Sequence, residues 1–347
     1  MVIQARRGGD SPAGITQISE QIRTGSARFQ DGRPPPAYEL APFDRGKWTR
    51  DNPLEASQRG SRFHQGVLAM TTHTHHSAPT QYVEANGIRF AYRRFGKTGG
   101  VPIVMNVHFR GTMDHWDPAI TDGLAQQREV ILFDNAGVGA SSGEVPATFP
   151  DMARDAIAFI KALGISKADI LGYSIGGKIA QEIAVQAPDL VRKLVLVGTG
   201  PRGADTAASK SAEIFSATYD PPEHLWIAAH FSSSPAGRAA GLEYLERKHR
   251  RRDRSPEVSE ASAATQFQAI VKSNEKVDGV LDYLAEIHHP ALVVHGKNDL
   301  IIPTVNGLTL QQHLPNAQLI IYPDSNHAPF YQYPELFLAH AALFLDA

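Results

Sequence analysis

The stretch ADILGYSIGGKIAQEIAVQ, residues 168–186, decides the fold. Its first part, 168–171, is a short apolar run that predicts a strand, and residues 177–186 have the composition of a helix. Between them, Gly172-Tyr173-Ser174-Ile175-Gly176 places a serine at a sharp strand-to-helix turn, where small residues on either side let the backbone turn tightly. Such a turn holds the Ser174 hydroxyl exposed, which makes Ser174 a candidate nucleophile. An ordinary glycine-rich turn is the alternative.

Strands and helices alternate outward from this turn. A hairpin is predicted around Asn86-Gly87, which is a strong turn signal between two alternating segments. The strands are predicted at 81–83, 89–92, 103–107, 129–133, 168–171, 193–197, 291–294 and 318–321, and the core helices at 152–163, 178–185, 305–314 and 334–345. This alternation indicates an α/β fold with a mostly parallel, eight-stranded sheet and helices on both faces.

The chain divides into three regions. Residues 1–79 are rich in Gly, Pro, Gln, Arg and Ser and are predicted to be a disordered extension, with a short helix near 15–22. Residues 80–201 and 291–347 form the predicted core. Residues 202–290 have helical periodicity without a strand, and we expect a helical lid over the carboxyl edge of the sheet, with helices at 225–231, 239–247 and 263–272. Because a chain starting at Met70 would begin just before the core, the presence of residues 1–69 in the native protein is open.

Composition and charge limit the function classes. The 347 residues are 42% hydrophobic and 20% charged, as in soluble globular proteins, and a net charge of −2 gives no reason to expect nucleic acid or a membrane as a partner. The chain has no cysteine, which excludes disulfides, thiolate metal sites and cysteine nucleophiles. No apolar run reaches bilayer-spanning length and the first residues lack a secretory signal, so a cytoplasmic location is expected.

Two later loops carry the partners that a serine nucleophile needs. A serine hydroxyl requires a base near neutral pH, and the base requires an orienting carboxylate. His327, between the last strand and the last helix, is the predicted base, and Asp299, after the preceding strand, is the predicted acid. Asp324 is the rival acid, and a helix cap or turn is the alternative role for Asp299.

An oxyanion needs two backbone amides. Ile175 is predicted to supply one, and Phe109, or else Arg110, in the loop after strand 103–107, the other. His108 at the end of that strand shapes the loop or contacts substrate. The candidate substrate-binding residues are His108, Arg110, Tyr173 and Trp226; for Trp116, Trp226, Phe231 and Tyr244 core packing is the alternative to lining the pocket.

Three further motifs have simpler interpretations. The glycine-rich loop 134–143 lacks the ending of a phosphate-binding loop and is predicted to pack beside the nucleophile turn. The basic run 247–252 is interpreted as a solvated helix end rather than a site for anions or nucleic acid. His73, His75 and His76 are interpreted as a solvated tail rather than a metal site, because no partner ligands follow at fixed spacing.

Residues 80–347 resemble the α/β-hydrolase superfamily, in particular its lidded branch of esterases, lactonases, C–C bond hydrolases and cofactor-free haloperoxidase-like proteins. The resemblance rests on the Gly-Tyr-Ser-Ile-Gly-Gly turn, the Phe-Asp-Asn-Ala-Gly-Val-Gly-Ala-Ser loop, the His-Gly-Lys-Asn-Asp loop and the Ser-Asn-His-Ala-Pro-Phe ending. It implies triad roles for Ser174, Asp299 and His327 and an oxyanion role for Ile175. One departure is His108-Phe109, where the branch usually has His-Gly.

These observations predict a serine hydrolase that cleaves a small carboxylic ester or lactone without a metal or cofactor. Epoxide opening and halide displacement are disfavoured, because relatives with those activities use an Asp nucleophile. C–C bond hydrolysis or a perhydrolase activity with the same triad is an alternative, and a small-molecule receptor on this fold is another. The expected partner is a small-molecule substrate, with no nucleic acid and no membrane, and the protein is expected to be a monomer or homodimer.

Overall fold

The structure, a computed structural model, describes residues 73–347. The predicted helix near 15–22, and the question of whether the native chain starts near Met70, lie outside the described residues. The same holds for most of the predicted disordered extension.

Eight strands form a single sheet. In chain order they are β1 (Gln81–Ala85), β2 (Ile88–Gly96), β3 (Ile103–Asn106), β4 (Glu129–Phe133), β5 (Ala168–Tyr173), β6 (Val191–Val197), β7 (Ala291–Gly296) and β8 (Ala317–Tyr322). Their order across the sheet is β1-β2-β4-β3-β5-β6-β7-β8. β1 pairs antiparallel with β2, and β2 antiparallel with β4, while every other neighbouring pair is parallel. The prediction of a mostly parallel, eight-stranded sheet is confirmed.

Helices connect the strands and cover the sheet. The α-helices are α1 (Pro118–Ala125), α2 (Phe149–Ala162), α3 (Ile175–Gln186), α4 (Ser211–Ser216), α5 (His224–His230), α6 (Pro235–His249), α7 (Glu260–Ser273), α8 (Val305–His313), α9 (Pro329–Gln332) and α10 (Pro334–Asp346). Every residue of β3, β5 and β7 is buried, because apolar side chains pack on both faces of these central strands. The buried apolar residues form two large clusters and a small one. One large cluster includes Phe159 and Ile179, and the other large cluster includes Trp116 and Phe337.

The helices predicted to begin at 305 and 334 begin there, whereas others begin earlier than the apolar periodicity indicates. Predicted to begin at residue 152, α2 begins at Phe149, because Thr148 Oγ1 accepts a hydrogen bond from the Asp151 amide and caps the helix. Ser234 likewise caps α6 through the Gly237 amide, so that this helix begins four residues before the predicted start at 239. The cap residues lie outside the apolar repeat, which is why the repeat alone does not locate them.

The segment 202–290 lies between β6 and β7 and carries α4 to α7. Ion pairs attach it to the core. Arg247 Nη2 lies 2.7 Å from the buried carboxylate of Asp117, and Arg251 donates to the carbonyl oxygens of His75 and His76. Lys248 is also buried. The interpretation of the basic run 247–252 as a solvated helix end is therefore wrong for these three residues. Lys248 is buried within the segment, and Arg247 and Arg251 hold the segment against the rest of the described chain.

The interpretation of the histidine cluster as a solvated tail is also wrong in part. His75 is buried, its backbone amide donates to Asp122, and its Nδ1 lies 2.9 Å from Thr121 Oγ1 in α1. Within residues 73–347, no group of acidic or imidazole side chains has an arrangement that could hold a metal ion. In the same part of the chain, none of the helices has both the length and the apolar composition needed to cross a bilayer.

Candidate active site

Ser174 lies between the last residue of β5 and the first residue of α3 in a strained backbone conformation. Its φ of 58° and ψ of −119° fall outside the regions that residues with a Cβ normally adopt. Neighbouring groups hold this conformation: the Ser174 amide donates to Val197 O at 2.9 Å, and its carbonyl accepts from Thr199 Oγ1 at 2.7 Å. The sharp strand-to-helix turn predicted from the pentapeptide is therefore present.

The two glycines of the pentapeptide allow close backbone packing. A Cβ on Gly172 would lie 2.3 Å from Gly176 O, and a Cβ on Gly176 would lie 2.0 Å from Asn106 O in β3. Both partners are backbone atoms, which cannot move aside without displacing a strand or helix. Glycine at these positions is a steric requirement of the turn.

The Ser174 side chain is free for chemistry. Serine in the position before a helix usually caps it, but the Ser174 hydroxyl makes no capping bond to α3. The side chain is nearly buried, yet it reaches a cavity of about 850 Å³. The amino end of a 12-residue helix directly behind it favours negative charge at this point.

Asp299 and His327 form a buried hydrogen bond. His327 Nδ1 lies 2.9 Å from Asp299 Oδ2, and both side chains are almost fully buried. Because a carboxylate accepts and does not donate, the proton of the neutral ring is on Nδ1, and Nε2 keeps its lone pair. This is the tautomer that a general base needs.

Several donors hold the Asp299 carboxylate. Oδ1 accepts from the amides of Ile301 and Ile302, each at 2.9 Å, and the His295 Nε2 atom lies 3.2 Å from Oδ2. Burial favours the neutral carboxyl, but the facing imidazoles of His327 and His295 outweigh it and lower the pKa of Asp299 below its ordinary value. Asp299 is thus ionised across the neutral range. His295 was not identified from the sequence, although it is the first residue of the His-Gly-Lys-Asn-Asp loop.

Asp324, the alternative candidate for the triad acid, forms a hydrogen bond elsewhere. Its Oδ2 accepts a hydrogen bond from Ser234 Oγ at 2.7 Å, at the start of α6, and its backbone has a positive φ of 43°. Within the described residues it makes no hydrogen bond to His327. The geometry therefore brings Asp299, and not Asp324, to the imidazole.

Ser174 and His327 meet at the same cavity. Both line it, and the His327 ring packs against the ring of Tyr173, the residue before Ser174, with the centroids 5.2 Å apart. Among the described residues no hydrogen bond joins the Ser174 hydroxyl to the imidazole. Such bonds are often long in free enzymes and shorten in the substrate complex, and the serine hydroxyl reorients by rotation about one bond.

The loop that follows β3 carries the candidate oxyanion donors Phe109 and Arg110. Arg110 has a positive φ of 59°, and its amide donates to Gln266 Oε1 at 3.0 Å. Within residues 73–347, the Phe109 and Ile175 amides donate no hydrogen bond. These two amides are available to an oxyanion, whereas that of Arg110 is already engaged.

The cavity has a largely apolar wall built from both the core and the segment 202–290. Three of the predicted substrate-binding residues, His108, Arg110 and Trp226, line it, but Tyr173 does not: Tyr173 is fully buried and packs against His327. The prediction that Tyr173 binds substrate is therefore wrong, because the ring of a residue ending a central strand points into the core. Trp116, Phe231 and Tyr244 are buried in the core as well.

Within the described residues, no hydrogen bond joins the glycine-rich loop 134–143 to the turn at 172–176. The Asp134 carboxylate accepts from the amides of Met113 and Ala140, and Gly137 O accepts from Ser262 Oγ in α7. Burial raises the pKa of Asp134 to about 6. The loop 134–143 thus holds the backbone at Met113, shortly after the loop that follows β3.

Lys178 and His230 are among the cavity-lining residues that were not identified from the sequence. Lys178 in α3 is buried and donates to Pro201 O, Ser273 Oγ and Asn274 Oδ1, which links the nucleophile helix to the end of α7. His230 at the end of α5 lies with its ring centroid 6.2 Å from that of His327. Neither stands in a motif, and only the tertiary fold brings them to the site.

Comparison with known proteins identifies the family. The alpha/beta hydrolase fold family model matches residues 102–334, and the chain belongs to this family. A solved structure, the alpha/beta hydrolase fold protein from Chitinophaga pinensis, is 40% identical, with a TM-score of 0.74 over 79% of this chain and 100% of that one. These matches and the relatives described next support an enzyme of the hydrolase type.

Two curated relatives carry hydrolase names. A protein of Azorhizobium caulinodans with the provisional name carbamate hydrolase RutD is 27% identical over 247 residues, 69% of this chain and 88% of that protein. The pimeloyl-[acyl-carrier protein] methyl ester esterase of Nitrosomonas europaea is 28% identical over 259 residues, 70% of this chain and 95% of that protein.

Proposed function

We propose that this protein is a serine hydrolase that cleaves a small carboxylic ester or lactone through an acyl-enzyme intermediate. The observation that carries the proposal is the buried Asp299–His327 hydrogen bond beside the strained Ser174 turn, on one cavity. The esterase name of one relative agrees with this chemistry.

The proposed reaction has two stages. His327 Nε2 takes the Ser174 proton as the hydroxyl oxygen attacks the carbonyl carbon, and Asp299 stabilises the imidazolium that forms. The amides of Ile175 and Phe109 stabilise the oxyanion. The leaving alcohol departs with the proton from His327. Water, deprotonated by His327, then attacks the acyl group and releases the acid and Ser174.

The apolar wall of the cavity favours an acyl or alcohol group of moderate hydrophobicity. Its apolar residues include Phe215, Leu225, Val258, Phe267, Ile270 and Ile301. We propose that residues 202–290, which supply most of this list, act as a lid over the site. A cytoplasmic location and a monomeric or homodimeric state stay predictions.

Turnover of short p-nitrophenyl esters and of lactones by wild type and by Ser174→Ala tests the proposal. We expect hydrolysis by the wild type and a loss of at least about 10³-fold in kcat for Ser174→Ala, because the nucleophile is removed. Ser325→Ala is the matched control, since Ser325 is buried outside the cavity. Undiminished hydrolysis by Ser174→Ala would contradict the proposal.

A further inference from the structure

A group of aromatic and imidazole rings forms one end of the cavity. The ring centroids of His108 and His230 are 4.9 Å apart, and that of Trp226 lies 5.2 Å from His108 and 5.3 Å from His230. All three side chains line the cavity. Only 2% of His108 and 2% of His230 is exposed. We call these three residues the Trp226 subsite.

The subsite contains two buried nitrogen atoms that have no hydrogen-bond partner among the described residues. Among the described residues, His108 Nε2 and His230 Nδ1 are buried and have no hydrogen-bond partner. Buried polar groups are nearly always paired, because an unpaired one loses its hydration without compensation. Two of them in neighbouring rings on the wall of one cavity indicate a place for a ligand group.

The atoms around His108 and His230 determine which ring nitrogens donate and which accept a hydrogen bond. His108 Nδ1 lies 2.8 Å from Phe109 O, and a carbonyl only accepts, so Nδ1 carries the proton and Nε2 is an acceptor. His230 makes no side-chain hydrogen bond within the described residues, so its neutral ring offers one donor and one acceptor. Burial lowers the pKa of His108 to about 3 and that of His230 well below its ordinary value, which keeps both rings neutral at pH 7.

Charges around the subsite disfavour an ionic ligand. The buried ammonium of Lys248 lies 5.9 Å from the Trp226 ring centroid, which opposes a cation. Glu257 lines the same cavity and opposes an anion, and the His108 Nε2 lone pair repels it further. A neutral group that donates a hydrogen bond to His108 Nε2 and accepts one from His230 fits these constraints.

We propose that the Trp226 subsite binds a neutral group of the substrate that both donates and accepts a hydrogen bond, a hydroxyl or a primary amide, close to the scissile carbonyl. This inference rests on the proposed function, because it describes the substrate of the same site. The group lies a few bonds from the carbonyl, since the His230 and His327 ring centroids are 6.2 Å apart.

Matched phenyl esters test the inference. Phenyl 3-hydroxybutanoate carries a hydroxyl where phenyl 3-methylbutanoate carries a methyl group of similar size, and the phenyl monoester of succinate carries a carboxylate. We expect kcat/KM for the hydroxy ester to exceed that for the methyl ester by about tenfold, the gain from one or two neutral hydrogen bonds. In His230→Leu this ratio is expected to fall to about one, while His230→Gln, which keeps a donor and an acceptor, retains part of it. Because the ratio is taken within one protein, a general loss of activity cancels.

His224→Leu is the matched control, because it is the same substitution in the same helix, outside this cavity. It is expected to keep the wild-type ratio. Equal kcat/KM values for the hydroxy and methyl esters in the wild type, an unchanged ratio in His230→Leu, or preference for the carboxylate would each overturn the inference.

Binding separates this inference from the proposed function. Calorimetry with the Ser174→Ala protein compares affinity for the hydroxy and methyl esters without turnover, and we expect about tenfold tighter binding of the hydroxy ester. If no ester is hydrolysed but this difference is found, the proposed function fails and the subsite stands. If hydrolysis depends on Ser174 but the two esters bind and react equally, the subsite fails alone.

Discussion

Asp299 holds the imidazole of His327 across two different loops, with 2.9 Å between Oδ2 and Nδ1. The other carboxylate oxygen is anchored by the amides of Ile301 and Ile302. The contact therefore fixes both the orientation and the tautomer of the ring.

Asp299→Asn should leave the fold intact and remove most of the activity. The amide oxygen of the asparagine can still accept from Ile301 and Ile302, but its NH₂ group donates towards His327 Nδ1 and forces the wrong tautomer. We expect kcat for ester hydrolysis to fall by about 10³–10⁴-fold. Asp324→Asn is the control and should change kcat by less than about threefold, because Asp324 bonds to Ser234 instead. Comparable losses in the two variants would show that the acid has been assigned to the wrong residue.

Gly176→Ala should destabilise the nucleophile turn. The new methyl carbon would lie 2.0 Å from Asn106 O, so α3 must move away from β3. We expect the free energy of unfolding to fall by about 1–3 kcal/mol, as measured by urea denaturation. Gly100→Ala is the control, because a Cβ there meets no atom within 4 Å. Equal stability of the two variants would mean that the turn does not require glycine.

Arg247→Met should loosen the segment 202–290. The substitution leaves the Asp117 carboxylate, which is fully buried, without its guanidinium partner. Breaking a buried pair costs about 3–5 kcal/mol, and we expect about 2–3 kcal/mol here, because the Arg247 side chain is 21% exposed. Arg250→Met, on the same helix, removes only the exposed pair with Glu246 and should cost less than about 0.5 kcal/mol. Thermal or urea unfolding of both variants measures the two losses in unfolding free energy. Similar losses would show that the Arg247–Asp117 pair does not attach this segment.

Lys178 should give the protein a stability that rises with pH. Burial lowers the pKa of Lys178 in the folded protein from 10.5 to about 7. Between pH 7 and about 10 the unfolded chain therefore holds a proton that the folded chain has released, and the free energy of unfolding rises by about 1.4 kcal/mol per pH unit from this group.

Lys178→Met removes this titration, so the rise between pH 7, 8 and 9 should be smaller than in the wild type by about 1.4 kcal/mol per pH unit. Burial also lowers the pKa of Lys248, to about 8, and its contribution remains in both proteins. Lys161→Met, at an exposed position of α2, should keep the wild-type slope. Parallel pH profiles for wild type and Lys178→Met would show that Lys178 is not the group responsible.

The parts of the fold and site that lie in continuous sequence could be predicted. The sheet was predictable from the short apolar runs and the Asn86-Gly87 turn signal, because strand periodicity and turn chemistry are local. The Ser174 turn was predictable for the same reason, since its glycines stand beside it in the chain. The pairing of Asp299 with His327 follows from loops at the same edge of a parallel sheet.

The parts that depend on tertiary contacts could not be predicted. Nothing local distinguishes Tyr173, which points into the core, from a residue facing the cavity. Arg247 and Lys248 look like solvated charges until the fold places Asp117 and Trp226 beside them. His230 and Lys178 contribute to the cavity only because distant elements converge, and a single helix carries no signal of that.

Reaction with a fluorophosphonate probe, followed by peptide mass spectrometry, tests the central claim most directly. Such probes phosphonylate a serine only when an adjacent base activates it. We expect one label per folded chain, on Ser174. The label should be absent in Ser174→Ala and form much more slowly in His327→Ala. A folded wild-type protein that is not labelled, or that carries the label on another residue, would contradict it.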